Sequence, residues 1–146
     1  MQYNLIPATS ADEAWLENLR RDVYADLFNA TWGAWDEARH ARHFAACLER
    51  GQIQIIAIAG EPVGMVQIFN DSDALEVGEI QIEPAHQHRG IGTRILMDIV
   101  SAAHKAGKAV RLSVGLQNHK ALRLYERLGF QLLTQSETHT HLEYKA

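Results

Sequence analysis

The sequence predicts an α/β fold of the α+β kind, with a mixed, mostly antiparallel central sheet and helices on both faces. Two observations carry this expectation. Apolar stretches of strand length and amphipathic stretches of helix length follow one another in the order β-α-α-β-β-β-α-β-α-β-β. One strand-helix-strand unit, residues 75–114, is built for a crossover, so one parallel pair is expected among otherwise antiparallel neighbours.

Each element has a local reason. Tyr3 to Ile6 reads as a short strand ending at Pro7. Ser10 is placed to cap a helix, with Glu13 three residues on as its capping-box partner. Leu16, Leu19, Val23 and Leu27 continue that helix at spacings of three and four, to about Phe28, before Asn29 to Gly33 break it. A second helix runs from about Asp36 to Leu48 and stops near Gly51. Gln52 to Ala59, rich in isoleucine, is a strand. Gly60-Glu61-Pro62 is a turn, Val63 to Phe69 a strand, Asn70 to Asp73 a turn and Leu75 to Ile82 a strand. A helix to about His104 carries Ile91, Ile95, Leu96, Ile99 and Val100 as its apolar stripe. Ala109 to Val114 is a strand, a helix starts at Asn118, and Phe130 to Thr134 and His139 to Tyr144 close the chain.

At 146 residues and 47% apolar, the chain suits a single domain, 1–146, with a core of its own. No apolar run approaches the roughly 18 residues of a membrane span, and the first residues lack the basic start and apolar core of a signal peptide. The one cysteine, Cys47, excludes an intramolecular disulfide and fits a reducing cytoplasm. A net charge of −4 without a basic block argues against nucleic acid as a partner and is compatible with a cationic acceptor.

The stretch Gln87-His88-Arg89-Gly90-Ile91-Gly92, opening into Thr93, is a glycine-bearing turn between a strand and a helix. It offers unpaired backbone N–H groups and the positive end of a helix dipole to one anion. A dinucleotide fingerprint would need a third glycine where Ile95 stands, and a P-loop would need Lys-Ser/Thr where Thr93-Arg94 stand. The pattern Gln/Arg-x-x-Gly-x-Gly/Ala fits at Gln87, Gly90 and Gly92. It resembles the pyrophosphate turn of the GCN5-related N-acetyltransferases (GNAT family). A second block, Asn118 through Ala121 and Tyr125 to Gly129-Phe130, is similar to that family's late helix, N-x-x-A-x-x-x-Y-x-x-x-G-F. The resemblance is firm from about Leu75 to Leu133.

This resemblance implies a GNAT-like layout and acetyl-coenzyme A as the acyl donor. It implies direct attack by a primary amine, with the strands of the 75–114 unit splayed to admit the pantetheine arm. Carried over residue by residue, it puts the pyrophosphate at Gln87, His88, Arg89, Gly90, Ile91, Gly92 and Thr93. Backbone groups of Ile80, Gln81 and Ile82 would meet the acyl and pantetheine portion. Asn118 would contact the cofactor or cap its helix, and Tyr125 would meet the sulfur. The chemistry is consistent: a phenol of pKa about 10 can give a proton to a thiolate whose acid has pKa about 8.5. Attack needs a neutral amine, hence a base. Glu79, Gln81 and Glu83 alternate on one strand face. Glu79, well inside the strand, is the first candidate, because desolvation there could raise its pKa. Glu76 and Glu83 are alternatives.

Trp32 and Trp35, with His40, His43 and Phe44, surround the break between the first two helices, where the family builds part of its acceptor pocket. Trp32 and Trp35 are the candidate substrate contacts. Eight histidines include His40 and His43 on one helix and His139 and His141 on one strand face, but no Cys/His cluster or H-E-x-x-H occurs, and no metal is expected. Cys47, mid-helix without an activating partner, is not expected to be a nucleophile. A small-molecule amine is the expected acceptor, and homodimerisation follows by analogy. The rival expectations are a non-catalytic acyl-coenzyme A sensor, an enzyme using a longer acyl donor or a protein amine, and a ligand-free structural protein.

Overall fold

The computed structural model describes residues 2–32 and 35–146, and the side chains of Asp26, Ala30, Thr31 and Trp32 lie outside that description. Seven strands stand in the order β1-β2-β3-β4-β5-β7-β6, a mixed and mostly antiparallel sheet. The strands are β1 (Asn4–Pro7), β2 (Ile53–Ile58), β3 (Glu61–Asn70), β4 (Ala74–Ile82), β5 (Ala109–Gly115), β6 (Gln131–Gln135) and β7 (His139–Tyr144). The helices are α1 (Glu13–Trp32), α2 (Glu37–Arg50), α3 (Ile91–Lys105) and α4 (His119–Leu128). The chain forms two compact units, one of Met1–Gln67 with Glu79–Gly92, the other of Ile68–Gly78 with Thr93–Ala146.

In the first unit the N-terminal cap falls one residue earlier than expected. The backbone N–H of Thr9, not Ser10, donates to the Asp12 carboxylate at 2.8 Å, and a short 3-10 turn, Ser10–Asp12, leads into α1. The capping box S/T-x-x-E/Q tolerates Asp in its acidic place, and the two overlapping candidates differ by one register step. The α1 helix also continues through Asn29 to Trp32, past the expected break. Asp36 caps α2, accepting from Arg39 N–H at 3.0 Å. The helix stops at Gly51 with φ 75°. The β2–β3 hairpin turns on two residues, Ala59 and Gly60, both with positive φ (53° and 81°). Glu61 and Pro62 are therefore strand residues rather than turn residues. Pro62 is accommodated because the register slips between Ile56 and Ala57, beside it, and a bulge spares the missing donor.

The core of this unit joins Leu16 and Leu19 of α1, Phe44 and Cys47 of α2, Ile53 and Ile55 of β2, and Met65 of β3. Full burial of such side chains is worth about 1.5–3 kcal/mol each. One polar group is built into it. Gln67, 1% exposed, donates through Nε2 to the carbonyls of Cys47 (3.0 Å) and Gly51 (2.8 Å), pinning the C-terminal end of α2 to β3. At Gly64 a Cβ would lie 2.2 Å from the Gln81 carbonyl oxygen, so β3 approaches β4 more closely than any side chain permits.

In the second unit β4 and β5 form the expected parallel pair, from Ala74↔Ala109 to Val77↔Leu112. The β5 strand pairs antiparallel with β7, and β7 with β6. Buried Ile95, Leu96, Ile99, Val100 and Ala103 form the apolar stripe of α3. The stop of α4 is Gly129, in the left-handed region at φ 112°, packed against Tyr144.

Candidate active site

The candidate anion turn, Gln87 to Thr93, is built on two residues with positive φ. After the 3-10 turn Pro84–His86, His88 (φ 63°) and Gly90 (φ 78°) take left-handed conformations, and α3 starts at Ile91. Among the described residues nothing lies within 4 Å of where a Gly90 Cβ would stand. The first N–H groups of a helix have no partners within it, so those of Ile91, Gly92 and Thr93 are the natural donors to an anion. Gln87 holds the turn: its Nε2 donates to the Ile82 carbonyl at the end of β4 (2.9 Å). Arg89, exposed, lies 3.2 Å from His86 Nδ1. The Ile91 side chain is buried, so only its backbone is available to a ligand. Gly92 meets the Ile82 side chain at ordinary contact distance.

Glu79 has company that the sequence did not reveal. Arg20 Nη1 lies 3.0 Å from Glu79 Oε1. The Tyr24 hydroxyl donates to Oε2 at 3.3 Å, as does Gln81 Nε2, also at 3.3 Å. Arg20 is also stacked over the Tyr24 ring at 5.1 Å. Glu79, the first candidate for its place well inside the strand, has partners there on both carboxylate oxygens. It is an ion-paired group with three donors on its roughly four lone-pair sites, which leaves about one for a substrate or water. The side chain of Gln81 is 3% exposed and spends its amide on Glu79. Of the alternatives, Glu83 lies 3.8 Å from His86, and Glu76 stands opposite Arg111 in the β4–β5 pairing.

Asn118 caps α4, accepting from Ala121 N–H at 3.3 Å through Oδ1, which leaves its amide N–H donors for other work. Tyr125 is half-buried, with its ring edge-on to Phe130 (6.0 Å). Trp35 donates to Glu37 and packs edge-on against Phe28 at 5.1 Å and beside His40 at 5.0 Å. The side chain of Trp32, the other candidate substrate contact, falls outside the described residues. Cys47 is buried, and that burial pushes its thiol up to about 11. Such a thiol is a poor nucleophile at neutral pH.

The model of the GNAT acetyltransferase family matches residues 12–130, which takes in the turn, Glu79 and the Asn118–Phe130 block. The chain belongs to the GNAT acetyltransferase family. An uncharacterized N-acetyltransferase of Methanocaldococcus jannaschii is 26% identical over 145 residues, covering 88% of this chain and 63% of that protein. The N-alpha-acetyltransferase RimI of Mycobacterium tuberculosis is 45% identical over 56 residues, 38% of this chain and 34% of that one. The chain thus spans less than two thirds of the length of these relatives. Among solved structures, the PaiA N-acetyltransferase of Thermoplasma acidophilum, crystallised with coenzyme A, superposes over the whole of both chains with a TM-score of 0.76 at 15% identity, a likeness of fold.

Arg20 and Tyr24, which hold the candidate base Glu79, were not singled out from the sequence. They lie four apart, on one face of α1. That spacing was the only available signal, and it does not name the partner strand.

Proposed function

We propose that this GNAT-family chain is an acetyl-coenzyme A-dependent N-acetyltransferase acting on a primary amine of a small molecule. The observation that carries the reading is the turn ahead of α3. It is open at Gly90, left-handed at two positions, tethered by Gln87 and backed by helix N–H groups, the chemistry a diphosphate needs. In this reading Gln87 to Thr93 receive the pyrophosphate, backbone groups of Ile80 to Ile82 align the acyl arm, and Asn118 contacts the cofactor through its free amide donors.

The amine attacks the thioester carbonyl carbon. A C–N bond forms and the C–S bond breaks. Glu79, directly or through a water, takes the proton that the nitrogen sheds. The Tyr125 hydroxyl gives a proton to the departing sulfur, so free coenzyme A and an amide leave. Trp32 and Trp35 are proposed to line the acceptor side. The family match and the coenzyme A complex of the PaiA relative support the donor.

The test has two arms. Coenzyme A should raise the melting temperature, since a ligand that binds only the folded chain stabilises it. A screen of amines with acetyl-coenzyme A should then find one that releases free thiol. No thermal shift with coenzyme A would overturn the reading. A shift without thiol release for any amine would favour a non-catalytic sensor.

A further inference from the structure

We propose that His139 and His141 of β7 form a binding site for a divalent transition ion of borderline softness: copper, nickel or zinc. This departs from the expectation, drawn from sequence alone, that no metal is held. The two residues alternate on one face of β7, with ring centroids 6.5 Å apart and planes inclined at 33°. Each ring is fixed at the same atom. Ser113 Oγ lies 2.6 Å from His141 Nδ1, and Thr138 Oγ1 lies 2.8 Å from His139 Nδ1.

When each hydroxyl oxygen accepts from the Nδ1–H of a neutral imidazole, the lone pair stands on Nε2. That is the tautomer a metal needs, and a hydrogen-bonded Nδ1–H is the usual support of a ligating histidine. Among the described residues neither Nε2 has a hydrogen-bond partner. The register leaves room beside them. His139 stands opposite Gly115 on β5, and among the described residues nothing lies within 4 Å of a Cβ placed there.

Further along this face of β7 stands an ion pair. Glu143 and Arg111 are opposed across β5 and β7 and hold each other at 2.9 Å. Two imidazole donors with water in the remaining positions suit copper, nickel and zinc, and poorly suit magnesium or calcium. Among the described residues one cluster of three ligating groups occurs elsewhere, Glu17, Glu37 and His40. There Arg21 is already bound by both carboxylates, where a metal cation would have to sit.

The experiment titrates the full chain, carrying no histidine tag, with copper, nickel or zinc chloride by calorimetry. One ion per chain is expected. His139→Ala and His141→Ala should each weaken binding at least about 10-fold, and Ser113→Ala by about 10-fold, as for loss of a hydrogen-bonded support. Nickel should broaden the amide resonances of β7 and Ser113 in the unaltered chain, a readout that needs no variant to fold. Failure of the unaltered chain to bind any of the three ions would overturn the proposal. So would affinity unchanged in both histidine variants, or broadening centred on another histidine.

Discussion

Arg20 of α1 and Glu79 of β4 form a part-buried ion pair at 3.0 Å across 59 residues of sequence. Tyr24, one turn along the same helix, closes on the same carboxylate, so α1 grips β4 by two side chains at the point where the base is proposed to stand. Removing one partner from such a pair leaves the other under-satisfied. Arg20→Gln is expected to destabilise the fold by about 1–3 kcal/mol in urea denaturation. The double variant Arg20→Gln/Glu79→Gln should recover part of that loss. Strict additivity would show that the two groups are not coupled.

Glu79→Gln keeps the shape of the side chain and removes its basicity. With an amine acceptor in hand, kcat should fall by about 10²–10⁴-fold, the usual contribution of a general base, while the KM for acetyl-coenzyme A holds. An unaltered kcat would take Glu79 out of proton transfer and leave it a positioning role.

Tyr125→Phe should lower turnover by about 10²-fold or more and leave coenzyme A affinity nearly unchanged, measured by steady-state kinetics beside calorimetric binding. The loss should be smaller for thioester analogues whose leaving thiol is more acidic, because they need less help from a proton. A uniform loss across leaving groups would contradict the role.

Gly90→Ala introduces a Cβ at φ 78°, where space is ample but the backbone is strained for an L residue. It should cost about 1–2 kcal/mol of stability. Coenzyme A should also bind more weakly, with the change read as a smaller thermal shift per unit of ligand. Loss of stability without loss of coenzyme A affinity would separate the turn from the pyrophosphate.

His40 is 2% exposed, and among the described residues neither ring nitrogen has a hydrogen-bond partner. Its pKa lies below the ordinary histidine range, chiefly because burial disfavours the cation. The positive charges of Arg21 and Arg20 add to this, while Glu37 and Glu17 act against it. The unfolded chain takes up this proton near pH 6.5 and the folded chain only at lower pH. Stability is therefore complete above about 6.5 and declines as pH falls below it, by at most about 1.4 kcal/mol per pH unit from this one group. Denaturation midpoints between pH 5 and 8 should show the decline, and His40→Leu should flatten it.

Short-range spacing made the anion turn and α4 legible. Gln87, Gly90 and Gly92 sit within six residues, and Asn118, Tyr125 and Gly129 within twelve. The Asn118 cap, the Gly129 stop and the left-handed turn at Gly90 are each set by local backbone geometry. The order of elements followed from periodicity for the same reason. What escaped was either one register step or a long reach. Thr9 and Asp12 mimic the motif that Ser10 and Glu13 also offer, and the sequence does not choose between them. The end of α1 was misplaced because Asn29 and Thr31 are weak helix formers, a preference that context readily overrides. Pro62 looked like a turn because the bulge beside it, at Val63 of the same strand, leaves no mark in the local pattern. The Arg20–Glu79 pair depends on how α1 lies over β4, which no local pattern encodes.

Cys47 sits in the core of the first unit, its thiol raised to about 11 by burial and close to Gln67 Oε1 at 3.7 Å. A thiol-specific reagent can therefore label this chain only when that core opens. The single sulfhydryl works as a built-in stopwatch: at saturating reagent, the labelling rate is the rate at which α2 lifts away from β3, read without any engineered probe.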